Sequence, residues 1–179
     1  MRNPWSSYCD REQVPLGAYA VLMGAYGLGL GLLLRWVHKH RAVARAVGPG
    51  DLVLVGVATH KMTRILTREW VTAPLRAPFT KLERVNEFGE CVEEPKGTGL
   101  QQALGNLLTC AFCAGPWVAG ALMAGYAAAP RPTRVVAGVF TAVAISDFLH
   151  RGYELTRESE QAEKIERREK ARHEEMVGG

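Results

Sequence analysis

The feature that most constrains this chain is a run of 21 residues, 14–34, without a charged side chain. A helix rises about 1.5 Å per residue, so this run is long enough to cross the ~30 Å hydrocarbon core of a bilayer. The run is a poor signal peptide, because acidic Asp10 and Glu12 precede it and no small-x-small cleavage site follows it. We therefore expect an integral membrane protein.

Three further apolar segments follow, at residues 51–67, 113–129 and 134–150. Together with residues 14–34 they predict an all-α, polytopic membrane protein with four transmembrane helices in a membrane domain at 14–150. The remaining parts are an N-terminal segment at 1–13, a polar connection at 69–108 and a charged C-terminal helix at 151–179. In the competing topology, residues 51–67 form a re-entrant or surface helix, which leaves three spans and an external amino terminus.

The polar connection is expected to follow the membrane surface. Its aromatic residues and prolines around Arg76 and Lys81 suit the headgroup level, and its glutamates at 83–94 are typical of a solvated charge run. Thr98 then precedes an amphipathic pattern that predicts an interfacial helix. The apolar face of that helix comprises Leu100, Ala103, Leu104, Leu107 and Leu108.

The pattern of charges indicates that the apolar segments lie in lipid, and it argues against a nucleic-acid partner. The net charge of +4 comes from basic residues that gather beside the apolar segments, where they would meet lipid headgroups. Because the polar connection and the tail both carry many Lys and Arg residues, both are placed in the cytoplasm, with the amino terminus there as well.

Small residues on the apolar segments predict tight helix packing. Gly24, Gly27 and Gly31 lie near one face of the first helix, and Gly125 and Gly138 belong to similar small-residue rows on the last two. A missing side chain lets a neighbouring backbone approach closely, which favours association with a protein partner or a second copy.

Charged residues within the second and last segments predict a structural ion pair. Asp147 would lie near the cytoplasmic end of the last span, together with Lys61 and Arg64, and an ionisable group in the membrane needs a partner or water. We predict a salt bridge between Arg64 and Asp147. The alternative is that each group reaches the interface separately.

Cys110 and Cys113 form a Cys-x-x-Cys motif at the start of a predicted helix, and three interpretations remain open. The cysteines can be structural residues in a crowded turn. They can bind zinc, with Cys91 as a third ligand and Cys9 as a fourth. They can also carry thiol redox chemistry, because a helix start favours a thiolate.

Four motifs carry a resemblance to one family. They are Ala58-Thr-His-Lys-Met-Thr-Arg-Ile-Leu-Thr-Arg68, Pro74-Leu-Arg-Ala-Pro-Phe79, Glu93-Glu-Pro-Lys-Gly-Thr-Gly99 and Leu108-Thr-Cys-Ala-Phe-Cys-Ala-Gly-Pro-Trp117. In this order they resemble the small bacterial membrane proteins of the domain of unknown function 1360 family, some of which are named sporulation proteins. The resemblance covers about residues 51–150, and it implies a bacterial cytoplasmic membrane protein without implying a reaction.

The chain contains no phosphate-binding loop with Lys-Ser/Thr, no His-Glu-x-x-His and no Gly-x-Ser-x-Gly. We therefore expect no cofactor and a non-enzymatic assembly, scaffold or accessory subunit that acts through helix packing and its cytoplasmic face. The alternative is a membrane thiol-redox or metal-binding protein that uses Cys110 and Cys113. A third possibility is a small transporter built on Lys61, Arg64 and Asp147, which would require oligomerisation.

Overall fold

The computed structural model describes residues 14–40 and 47–177, so the predicted N-terminal segment at 1–13 lies outside the described residues. Helices dominate, and a two-stranded antiparallel sheet lies in the polar connection. The helices are α1 (Leu16–Lys39), α2 (Pro49–Arg68), α3 (Ala73–Arg76), α4 (Gly99–Thr109), α5 (Ala111–Ala128) and α6 (Pro130–Val177). The strands are β1 (Thr80–Val85) and β2 (Cys91–Pro95), and a short 3-10 helix spans Trp70–Thr72.

The chain divides into two units, Met1–Thr141 and Ala142–Gly179. The core of the first unit lies where α2 packs against α5, and the first turns of α6 add to it. Its buried members are Val55, Ala58, Leu122, Tyr126 and Ala137. The second unit consists of the remainder of α6, in which Ala144 is buried.

Three helices in the described part of the chain are long and apolar enough to cross a membrane: Leu16–Lys39, Ala111–Ala128 and the Pro130–Gln161 part of α6. They correspond to the predicted spans at 14–34, 113–129 and 134–150. The α2 helix is more polar, because Lys61, Arg64 and Arg68 occupy its last two turns. The fourth crossing at 51–67 therefore stays a prediction.

One face of α1 contacts the rest of the first unit through its tyrosines. The side-chain amide of Asn106 donates to the Tyr19 hydroxyl at 2.5 Å, and the Tyr26 ring lies 5.3 Å from the Trp117 ring between centroids. Tyr19 and Tyr26 are seven residues apart, so they lie on the same side of the helix. These contacts fix which face of α1 is turned toward α4 and α5.

The prediction of an all-α fold is wrong for residues 80–95, which form a β-hairpin. The turn between its strands is built by Asn86, whose side-chain oxygen accepts from the backbone N–H groups of Phe88 and Glu90. Gly89 supplies the positive φ of 75° that the turn needs. Local hydrogen bonding by Asn therefore sets the turn, and flanking β-branched residues favour the strands.

A helix is present where the interfacial helix was predicted, since α4 begins after Thr98, and its position at the membrane interface stays a prediction. The Thr98 side chain makes no capping hydrogen bond, although the residue does occupy the N-cap position. The next helix, α5, begins at Ala111 and contains Pro116. Because proline has no N–H, the carbonyl of Phe112 receives no donor from this position.

Candidate functional site

Arg76 is the most deeply buried charged residue in the described part of the chain, with 0% of its side chain exposed. Its Nη1 donates to the carbonyl oxygens of Leu66 at 2.9 Å and Glu69 at 3.0 Å. These carbonyls belong to the end of α2, where backbone acceptors lack intrahelical partners. Arg76 thus terminates α2 with a charged donor, and the predicted position of this segment at the headgroups stays a prediction.

Glu93 on β2 supplies the countercharge to Arg76. Arg76 donates through Nε to Glu93 Oε2 at 3.0 Å and through Nη2 to Glu93 Oε1 at 2.7 Å, while only 6% of the Glu93 side chain is exposed. Two parallel bonds between a guanidinium and a carboxylate are the strongest arrangement available to this pair. The predicted solvated run of glutamates is therefore wrong for Glu93.

Two threonines complete the network around the ion pair. Thr72 Oγ1 accepts from Arg76 Nη1 at 2.6 Å, and Thr80 Oγ1 lies 2.6 Å from Glu93 Oε2. Burial alone would raise the pKa of Glu93, but the hydrogen bonds from Arg76 and Thr80 outweigh it and hold the pKa below its ordinary value of 4.5. Glu93 is thus held as a carboxylate, and we name these four residues, Arg76, Glu93, Thr72 and Thr80, the arginine anchor.

The hairpin is also attached to α4 by a close backbone approach. A Cβ at Gly105 would lie 2.6 Å from the Phe79 carbonyl oxygen and 2.8 Å from Pro95 Cβ, so only glycine fits there without a shift. The Lys96 ammonium donates to the Ala77 carbonyl at 2.6 Å, and the Gln101 amide donates to the Pro78 carbonyl at 2.9 Å. The hairpin is therefore fixed on two sides, at α2 and at α4.

The basic residues of α2 pair with carboxylates of the polar connection. Lys61 Nζ lies 2.7 Å from Glu69 Oε1, and Arg64 forms an ion pair with Glu90. Asp147 lies on α6 in the second unit. The predicted Arg64–Asp147 salt bridge stays a prediction.

The Cys-x-x-Cys motif lies at the start of α5, as predicted, and its two sulfurs are joined in a disulfide. Cys110 is the N-cap residue, and its sulfur accepts from the backbone N–H of Cys113 at 3.2 Å. Cys113 is exposed, whereas Cys110 is half-buried. Cys113 is thus the residue of the pair with more exposed surface.

The other two proposed zinc ligands have different surroundings. Cys91 is a free thiol at the start of β2 with no exposed surface, and burial raises its pKa. Cys9 lies outside the described residues. Among the residues that are described, no group of three or more His, Cys, Asp or Glu side chains is placed to hold a metal ion, and the four-cysteine site stays a prediction.

The glycines proposed for helix packing differ in their surroundings. A Cβ at Gly125 would lie 2.9 Å from Thr133 Oγ1, so α5 and the start of α6 approach closely there. A Cβ at Gly24, Gly27, Gly31 or Gly138 would meet no atom within 4 Å. For these four positions, close packing against a neighbour stays a prediction.

The arginine anchor was not identified from the sequence. A lone arginine between two prolines, Pro74 and Pro78, was a usable signal, since a charge within a constrained apolar turn needs a local partner. No sequence rule selects Glu93 from the neighbouring glutamates as that partner. Their pairing depends on the hairpin register, in which Leu82 faces Glu93 and a bulge follows.

Comparison with known proteins agrees with the ordered motifs. The chain is 32% identical over 83 residues to the Bacillus subtilis protein named "Sporulation protein YjcA", which covers 45% of this chain and 70% of the relative. No solved structure matches the chain. The family model described as "Protein of unknown function (DUF1360)" matches residues 54–153, a region that contains the arginine anchor, the hairpin and the cysteine pair. Because this match spans more than half of the chain, the protein belongs to the DUF1360 family.

Proposed function

We propose that this protein is a non-enzymatic integral membrane protein, an assembly, scaffold or accessory subunit that works through one fixed surface. That surface, the hairpin platform, consists of residues 70–95. The observation that carries the proposal is the arginine anchor, because it attaches the platform rigidly to the end of α2. The name of the Bacillus subtilis relative offers sporulation as one setting for such a role.

The outer side chains of the platform support a role in binding. Large apolar side chains are exposed there to between 46% and 75%, in Trp70, Val71, Leu75, Leu82 and Val85. Exposed apolar side chains held on a rigid element are typical of interaction surfaces. The charged groups of the anchor are bonded to each other and have almost no exposed surface, which suits a structural role better than contact with a substrate.

We further propose four spans in the bacterial cytoplasmic membrane, with α2 as the fourth and with the platform and both ends of the chain in the cytoplasm. The 20 residues of α2 extend about 30 Å, which matches the hydrocarbon thickness. Its first half exposes Leu52 and Val53, whereas its basic side chains Lys61, Arg64 and Arg68 lie toward the platform end. The Lys and Arg content of the polar connection favours the cytoplasmic side.

Crosslinking from the platform tests the scaffold role. A photoreactive amino acid at Leu75 or Leu82 is expected to capture the same protein in cells, whereas the same probe at Leu28 on α1 should capture lipid or a different neighbour. In an Arg76→Gln background the platform crosslinks should disappear, because the surface is no longer held in place. Undiminished platform crosslinks in that background would contradict the proposal.

Labelling from the two sides of the membrane tests the topology separately. Single cysteines at Glu87 and Glu158 should react with a membrane-impermeant maleimide only after the membrane is opened, and a cysteine at Arg131 should react in intact cells. If the Arg131 position were protected and the Glu87 position reactive, the orientation would be reversed. If Glu87 and Glu158 differed from each other, the hairpin formed by α5 and α6 would be excluded.

A further inference from the structure

We propose that Cys110 and Cys113 form a thiol–disulfide exchange site, an activity that goes beyond a scaffold role. The structure joins the two sulfurs, and the Cα atoms of the pair are 5.2 Å apart, a separation at which a disulfide forms without moving the backbone. The site lies where α4 ends and α5 begins. It includes no residue of the arginine anchor and does not include the buried thiol of Cys91.

The two sulfurs differ in a way that assigns their roles. Cys110 Sγ accepts the backbone N–H of Cys113 and caps α5, a helix of 18 residues whose start carries a partial positive charge. These contacts stabilise a thiolate on Cys110 more than one on Cys113. Cys113 is the more exposed of the two residues. Cys113 is therefore the sulfur that is attacked, and Cys110 is the leaving group.

The exchange requires a partner with thiol groups, and two external thiols supply the two electrons that reduce the Cys110–Cys113 disulfide. An external thiolate attacks Cys113 Sγ, the Cys110–Cys113 bond breaks, a mixed disulfide forms on Cys113, and Cys110 leaves as a thiolate. A second thiolate then attacks the external sulfur of the mixed disulfide and releases the Cys113 thiolate. The external thiols become a disulfide, two electrons pass to the cysteine pair, and the two protons of the external thiols end on Cys110 and Cys113.

The surroundings of the pair favour a partner larger than a free thiol. Phe112 lies between the two cysteines in sequence and is 94% exposed, the largest exposure among the exposed large apolar residues of the described chain. An exposed aromatic side chain next to the exposed residue Cys113 in the sequence offers a contact for a docking protein. We infer that the natural partner is a dithiol or disulfide protein that covers Phe112 while it reacts at Cys113.

Glutathione provides a direct test on the purified full-length protein in detergent. The oxidised protein is incubated with reduced and oxidised glutathione at a series of ratios, quenched in acid and examined by peptide mass spectrometry. We expect a reversible two-electron transition, with mixed disulfide on Cys113 at least about tenfold above that on Cys110, because the better-stabilised thiolate leaves. Adduct mainly on Cys110 would overturn the assignment of roles.

Matched variants complete the test. Cys9→Ser should leave the transition unchanged, and Cys110→Ser should abolish it. Phe112→Ala should leave exchange with glutathione unchanged and slow exchange with a reduced thioredoxin-type protein by about tenfold, which corresponds to about 1.4 kcal/mol in the barrier. Stoichiometric zinc in the purified protein, with both thiols unreactive, would overturn the proposal. The glutathione assay needs no scaffold partner, so its failure and the failure of the crosslinking experiment are distinguishable.

Discussion

The two ends of α2 carry the same kind of contact in two different environments. At its end, Arg76 binds Glu93 through two parallel hydrogen bonds, with 0% and 6% of the side chains exposed. At its start, Arg134 binds Asp51 with the same two-bond geometry, at 2.8 Å for each bond, but 53% of the Arg134 side chain and 10% of the Asp51 side chain are exposed. The geometry of the two pairs is alike, and their access to water is not.

This difference separates a structural anchor from a surface contact. When a partner is lost at the buried pair, a charge remains without water or a countercharge, which is strongly destabilising. At the Arg134–Asp51 pair, water reaches the arginine, and Asp51 keeps the backbone N–H of Gly48 as a donor when Arg134 is lost. The platform should therefore depend on Arg76 far more than the other end of the bundle depends on Arg134.

The largest effect is expected for Arg76→Gln, which leaves Glu93 buried without its countercharge. We expect the hairpin to lose about 3–5 kcal/mol of local stability. The measurement is the labelling rate of Cys91, which is buried in β2, in a background with serine at the other three cysteines. Labelling should accelerate by about a hundredfold or more, since 1.4 kcal/mol is a factor of ten.

A double variant distinguishes charge from shape at the same site. Arg76→Met with Glu93→Leu removes both charges and keeps most of the volume. Such replacements are often neutral or stabilising at buried ion pairs, so labelling of Cys91 should return toward the parent rate. A double variant as labile as Arg76→Gln would show that the bonds to the carbonyls of Leu66 and Glu69, rather than charge balance, hold the platform.

An intermediate effect is expected for Gly105→Ala. The new Cβ would lie 2.6 Å from the Phe79 carbonyl oxygen, so α4 and the hairpin must separate, at about 1–3 kcal/mol. Gly56→Ala on α2 is the matched control, because a Cβ there meets nothing within 4 Å and alanine favours a helix. Cys91 labelling should accelerate in the first variant only. Equal labelling rates in the Gly105→Ala and Gly56→Ala variants would mean that the close approach at Gly105 does not contribute to the stability of the hairpin.

Acidification should weaken the platform by a smaller and gradual amount. The pKa of Glu93 is lowered in the folded protein, so its contribution is fully present above its unfolded value near 4.5 and is lost as the pH falls through the folded value. Hydrogen exchange of residues 80–95, corrected for the intrinsic pH dependence, should show protection falling below pH 4.5. In a Glu93→Gln variant this pH dependence should be absent, and its persistence would assign the acid sensitivity to other carboxylates.

The smallest effect is expected for Arg134→Gln at the exposed pair. Water reaches Arg134, and Asp51 still accepts from the backbone N–H of Gly48 in the variant, so loss of the pair should leave Cys91 labelling unchanged and lower the thermal midpoint only slightly. The difference between variant and parent should shrink at high salt, because screening weakens the parent contact as well. A loss as large as that of Arg76→Gln would remove the distinction between the two ends.

The long apolar helices were predictable from the sequence because an uncharged segment of this length has few alternatives to a helix. Residues 14–34 are uncharged, and the backbone of such a segment must satisfy its own hydrogen bonds in lipid. Three of the four predicted segments are helices long and apolar enough to cross a membrane. The prediction for 51–67 stays open because Lys61 and Arg64 make the hydropathy of that helix ambiguous.

The polar connection was harder to predict because its structure depends on contacts between distant residues. The glutamates at 83–94 look alike in the sequence, yet Glu90 pairs with Arg64 and Glu93 pairs with Arg76. These choices follow from the strand register and from the Asn86 turn, neither of which has a periodic signal. The Cys-x-x-Cys motif was predictable as a pair because both members lie within one helical turn.

Pro116 removes one backbone hydrogen bond near the start of α5, which weakens the connection between the first turn and the rest of that helix. Pro116 cannot donate a backbone hydrogen bond to the Phe112 carbonyl, so the segment that carries both cysteines can loosen without unfolding the rest of α5. Opening or closing the sulfur–sulfur bond would then be absorbed within a few residues. Pro116 would thus confine the structural effect of thiol–disulfide chemistry to the first turn of α5 and leave the apolar remainder of the helix unchanged.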